Sequence, residues 1–294
     1  MARHTALICL AAGTLGVAAV SCSTSDTAGS GGATTTTAAE WQTSEVAVAG
    51  TTVSVQCLGS GSPTVWLVSD IGTTGADGWG DTDVPSALAD RARVCTYDRP
   101  GLGASGPASS PRTVEQQADE LAAVIEASGE PTPAVVVGQG YGTFPVRLLS
   151  QRALPLVAGM VLVDPVLWTG DTRPPAGASE GVVAEYAGLE QVNADLGGYG
   201  GAALPPPPAP TVVLGASHLL PARPDAATTG STLDAADLEP PEEERHARQQ
   251  GLANKSPFGE FRLVAEAGSS IQHWDAAAVV AAIEAVLDSP DLKR

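Results

Sequence analysis

Residues 93–106 read RVCTYDRPGLGASG. Val94, Cys95, Thr96 and Tyr97 are a short β-branched and aromatic run of the kind that fills a strand. The Asp-Arg-Pro-Gly that follows stops it, because Pro100 cannot donate to a ladder and Gly101 and Gly103 allow a tight turn. The same grammar, an apolar run closed by a sharp turn, recurs at 134–142 (AVVVGQGYG) and at 159–165 (GMVLVDP). Working outward, similar runs lie at 45–48, 52–57, 64–69, 211–214 and 261–264, which makes eight strands. Between the later ones lie helical patterns. Residues 113–127 carry Val114, Ala118, Leu121, Ala122 and Ile125 as one stripe, 179–195 and 275–287 are further helices, and Glu242, Glu243 and Glu244 open a helix ending near Ala253. Strands alternating with helices predict an α/β fold with a mostly parallel sheet. The first two strands are separated only by Ala49-Gly50, which suits an antiparallel hairpin.

The long stretch at 166–210 breaks this rhythm and ends in Pro205–Pro208, so it reads as a lid between strands six and seven. Before residue 41 the chain changes character. Arg3 and His4 precede a 15-residue apolar run that ends in Ala19-Val20-Ser21-Cys22. That run is short for a membrane span and has the proportions of a signal peptide. Small residues before a cysteine resemble the lipobox of bacterial lipoproteins, which would make Cys22 the lipidated first residue of the mature chain. Residues 23–40 are a Ser/Thr/Gly-rich tether, leaving 41–294 as one folded domain. Export to the outer face of the cell membrane through a lipid anchor is therefore expected. In that oxidising setting Cys57 and Cys95, both in strands, are expected to form a disulfide worth about 3–4 kcal/mol, with two buried thiols as the alternative.

Acids outnumber bases 33 to 15, for a formal net charge of −18. This excludes the basic footprint that nucleic acid requires. His218, His246 and His273 stand 28 and 27 residues apart, without the short paired spacing that a metal cluster shows. Neither a metal nor a cofactor is expected.

The turn YDRPGLGAS, the Val-rich strand running into Gly138-Gln139-Gly140-Tyr141-Gly142, and GMVLVDP together resemble the α/β-hydrolase superfamily over residues 45–290. Within it the chain is most similar to exported actinobacterial-type members with a Cys at the end of the strand before that turn. The resemblance implies an eight-stranded α/β-hydrolase fold in which Asp98 and Arg99 are structural. It also implies a nucleophile at the centre of a G-x-S-x-G elbow, and here that slot is Gly140, which has no side chain to form an acyl-enzyme. The expected G-H-x-I-Q of the base is Gly268-Ser269-Ser270-Ile271-Gln272, so the base slot is Ser269, which does not titrate near pH 7. No carboxylate follows the seventh strand, leaving Asp164 or Asp171 after the sixth. The oxyanion-hole segment is Ser69-Asp70-Ile71-Gly72, with a carboxylate where the family carries glycine, and such a charge repels a developing oxyanion.

These replacements predict a non-catalytic member of the fold, a pseudohydrolase. Its pocket, near Ser69, Asp70, Gln139, Gly140, Tyr141 and Ser269, would bind a small apolar ligand or an envelope protein. The alternative is an unorthodox, serine-independent esterase that uses His273 or His218 with bound water.

Overall fold

The structure, a computed structural model, describes residues 39–109, 112–165, 173–195, 209–217, 242–256 and 258–293, which fall in one compact unit. Cys22, most of the tether, Asp171, His218 and residues 166–172 and 196–208 of the lid segment lie outside the described residues.

Eight strands form one sheet: β1 (Gln42–Val48), β2 (Thr51–Leu58), β3 (Thr64–Val68), β4 (Arg93–Tyr97), β5 (Ala134–Gln139), β6 (Val157–Val163), β7 (Thr211–Ala216) and β8 (Gly259–Val264). Their spatial order is β1-β2-β4-β3-β5-β6-β7-β8. The first two pairings, β1 with β2 and β2 with β4, are antiparallel, and every later one is parallel. Ala49 and Gly50 both take positive φ in the β1–β2 connection, the geometry that matches the twist of a two-residue hairpin. The β2–β4 register sets Cys57 opposite Cys95, and the two are joined as a disulfide.

The parallel strands are apolar without interruption because both faces are covered. Val65, Leu67, Val94, Val135, Val137, Val161 and Val163 point to one face. They meet α1 (Asp83–Leu88) and the closing helix, Ala276–Leu287, through Val84, Leu88, Val279, Ile283 and Val286. Their neighbours in sequence, Trp66, Val68, Cys95, Val136 and Leu162, point to the other face. There they meet α2 (Val114–Ser128) and α3 (Thr143–Arg152) through Leu121, Val124, Ile125, Val146 and Leu149. Thr113 and Gln116 close a reciprocal capping box on α2, and Gly129 ends it in the left-handed conformation.

Among the described residues the remaining α-helices are α4 (Glu180–Asp195), α5 (Glu242–Ala253), α6 (Ile271–Trp274) and α7, the closing helix. Helix boundaries match the sequence reading to within a residue at α2, α4 and α7. The π-helical turn at Ala76–Gly80, α1 and α6 were not foreseen, because four to six residues are too few to show a helical period. Among the described residues no helix is long and apolar enough to cross a membrane. The crossovers bring the carboxyl ends of β3, β5, β6 and β7 to one end of the sheet, where open α/β sheets hold their ligands.

Candidate functional site

At the end of β5 the chain turns sharply through Gly140–Gly142 into α3. Gly140 sits at φ +53, a conformation that costs an ordinary residue roughly 1–3 kcal/mol. A side chain at Gly142 would put its Cβ 2.6 Å from the carbonyl oxygens of both Val68 and Ser69. The turn is therefore pressed against the loop that leaves β3.

That loop delivers Asp70. Its Oδ1 accepts the main-chain N–H of Tyr141 at 2.7 Å and of Ile71 at 2.8 Å. In this kind of elbow the N–H after the nucleophile slot and an N–H from the loop after β3 are the two donors that receive a reaction's oxyanion. One oxygen of Asp70 occupies both. Its second oxygen lies 3.3 Å from Gln139 Nε2, which also reaches Ser270 Oγ at 3.5 Å. A Cβ built on Gly140 would stand 2.5 Å from Asp70 Cγ and Oδ1 and 2.6 Å from Oδ2. The missing side chain at 140 and the carboxylate from 70 therefore share one space. Desolvation raises the Asp70 pKa above its ordinary value, and the N–H donors of Tyr141 and Ile71, Gln139 and the Arg99 charge oppose that rise.

The loop is held by a buried ionic cluster. Arg99 donates to the carbonyls of Ser69 (2.7 Å) and Asp70 (2.5 Å) and pairs with Glu185 at 2.5 and 3.2 Å. Glu185 in turn accepts the Gly72 N–H at 2.7 Å and lies 3.5 Å from Arg112, which also pairs with Glu120. Asp98 accepts the N–H groups of Gly75 and Ala104, each at 2.9 Å. Asp98 and Arg99 thus play the structural part expected of them. Glu185 was not anticipated. The signal for it is one carboxylate among Ala184, Tyr186 and Leu189, all buried on α4, but its partners lie 73 to 113 residues away in the chain. Through Glu185, α4 is tied to the loop that leaves β3.

The other anticipated residues separate. Asp164, at φ +42, accepts from Arg245 Nη1 and Gln249 Nε2, each at 2.9 Å, and from the Ala216 N–H at 3.3 Å. It is engaged by α5. Burial raises its pKa against the pull of Arg245. Ser269 is half-buried, and the hydroxyl that reaches Gln139 belongs to its neighbour Ser270. His273, the fallback catalytic residue of the sequence reading, has a side chain 10 % exposed, with Nδ1 3.9 Å from Asp81 Oδ1. His218 is outside the described residues.

Six residues are expected from the sequence to line a pocket. Ser69, Gln139, Gly140 and Tyr141 are buried, and of that set only Asp70 and Ser269 reach solvent in part. The Tyr141 hydroxyl faces inward and accepts from Gln117 at 2.5 Å, because a buried phenol must find a polar partner. Its ring stands 5.8 Å from the Arg99 guanidinium. Among the described residues the one three-member group with metal-ligand spacing is Cys57, Cys95 and Glu130. Two of its members are spent in the disulfide and offer no thiolate.

Residues 26–196 match the family described as the alpha/beta hydrolase fold. The chain is 32 % identical over 108 residues to the Bacillus subtilis protein YqjL, covering 36 % of this chain and 42 % of that one. A Schizosaccharomyces pombe protein is 34 % identical over 84 residues, covering 29 % of this chain and 16 % of its own length. The chain therefore spans less than half of the relatives it matches. Among solved structures it is similar to a thermophilic esterase from Thermogutta terrifontis (TM-score 0.62, 18 % identity, 84 % of this chain and 98 % of that one). It is also similar to the enol-lactonase from Burkholderia xenovorans LB400 (TM-score 0.61, 17 % identity, 84 % and 100 %). At these identities the structures share a fold.

Proposed function

The chain belongs to the alpha/beta hydrolase fold family, and from that premise we propose that it is a non-hydrolytic member, exported and anchored through Cys22, that serves as a binding protein. The observation that carries this reading is the Asp70 carboxylate, which takes both N–H groups a substrate oxyanion would need. Gly140 offers no nucleophile, and Ser269 no base. The Nδ1 of His273 lies 3.9 Å from Asp81 Oδ1. The ligand is a small apolar molecule or an envelope protein.

The test is turnover of short-chain nitrophenyl esters by the purified chain, together with labelling by a fluorophosphonate. Neither is expected above the buffer blank. Hydrolysis that disappears in His273→Ala would overturn the proposal in favour of a serine-independent esterase. Gly140→Ser alone is expected to restore no activity, because Asp70 still fills the hole.

A further inference from the structure

Strand β8 lies at the edge of the sheet. Thr211 N–H donates to Phe258 O and Ser217 N–H to Val264 O. In the parallel register this turns the main chain of residues 258, 260, 262 and 264 toward β7. Gly259, Phe261 and Leu263 therefore direct theirs to the open side. Among the described residues the main-chain groups of Phe261 and Leu263 meet no partner there.

Proteins guard such edges with charged side chains, lysine above all, or with proline, bulges or short strands. This one has six residues, and neither lysine nor proline. Leu263 is 52 % exposed and Phe258 43 %. Side chains alternate along it. Phe261 packs on the core face shared with α2 and α3. Glu260 and Arg262 lie on the opposite face, bonded to each other at 2.9 Å, with Arg262 Nη1 on Ala281 O of α7.

We propose that this edge is a self-association surface on which a second copy docks β8 against β8, antiparallel and symmetric about Phe261. In that register the two Phe261 residues exchange both of their N–H···O bonds. Each Leu263 N–H donates to Gly259 O of the other copy, while the Gly259 N–H stays on Ser256 O. Glu260 faces Arg262 of the second copy and Arg262 faces its Glu260, in the non-hydrogen-bonded pairs where side chains approach most closely. The exposed Leu263 falls beside the second Phe261. Charge selects this register: centring the pair on Glu260 or on Arg262 would set like charges face to face.

Sedimentation of the full-length chain in detergent micelles, over a wide range of concentration, tests this. A concentration-dependent dimer is expected. Arg262→Glu converts both attractive cross-pairs to repulsive ones and should weaken it about tenfold or more. The double swap Glu260→Arg with Arg262→Glu should restore it, and Leu263→Lys should weaken it independently of charge pairing. Circular dichroism and melting curves establish that each variant is folded. A chain that stays monomeric, a dimer indifferent to Arg262→Glu, or a double swap that fails to restore association would each overturn the proposal.

Discussion

Asp70 and Asp164 are the same residue at the same end of one sheet, after β3 and after β6, and burial raises the pKa of both. Their partners differ in kind. Asp164 is met by a guanidinium, Arg245, and by the side chain of Gln249. Asp70 is met by main-chain N–H groups, with its nearest cation, Arg99, bonded to the carbonyl behind it and not to the carboxylate. The first arrangement neutralises a charge inside the structure. The second inserts a charge into a cradle that the fold elsewhere reserves for a reacting molecule, and closes it.

The sharpest way to separate the two is to remove what each depends on. Arg245→Met leaves Asp164 buried without its cation and should cost about 3–5 kcal/mol of unfolding free energy, read by urea denaturation. Adding Asp164→Asn should return most of that loss, because the uncompensated charge is gone.

Gly140→Ser probes Asp70 instead. The strained φ and the overlap with the carboxylate together should cost about 2–3 kcal/mol. In an Asp70→Gly background the overlap disappears and only the strain remains, so the double mutant should be more stable than the sum of the singles by about 1 kcal/mol. Strict additivity would mean that the two residues do not share one space.

The smallest effect is on pH. An aspartate whose folded pKa lies above its unfolded value, near 3.8, holds a proton in the native chain that the unfolded chain has lost. Stability therefore falls as pH rises from that value through the raised one, by at most about 1.4 kcal/mol per pH unit for each group. Asp70→Asn should flatten melting temperature against pH over that window, and Asp164 should supply the slope that remains.

The sheet was legible from sequence because a parallel strand buried on both faces writes itself as a valine run, as at 134–137. Gly140 and Ser269, where the resemblance implies a nucleophile and a base, stand out in the sequence because a missing chemical group needs no geometry to be noticed. Asp70 was only half legible. Its charge at the hole predicted repulsion of an oxyanion, whereas its reach back to Tyr141 N–H, 71 residues on, required the fold. Glu185 was hidden for the same reason, since a lone acid in an apolar stripe says that it is paired and not with what.

The fit between Gly140 and Asp70 also bears on how this chain could change again. A serine regained at 140 meets the carboxylate, and a glycine regained at 70 opens a hole with no nucleophile beneath it. On the proposed reading neither change alone would make a hydrolase, since position 269 would still carry a serine. On the proposed reading, a change toward hydrolysis would meet a steric as well as a chemical obstacle, because a side chain at 140 and the Asp70 carboxylate claim one space.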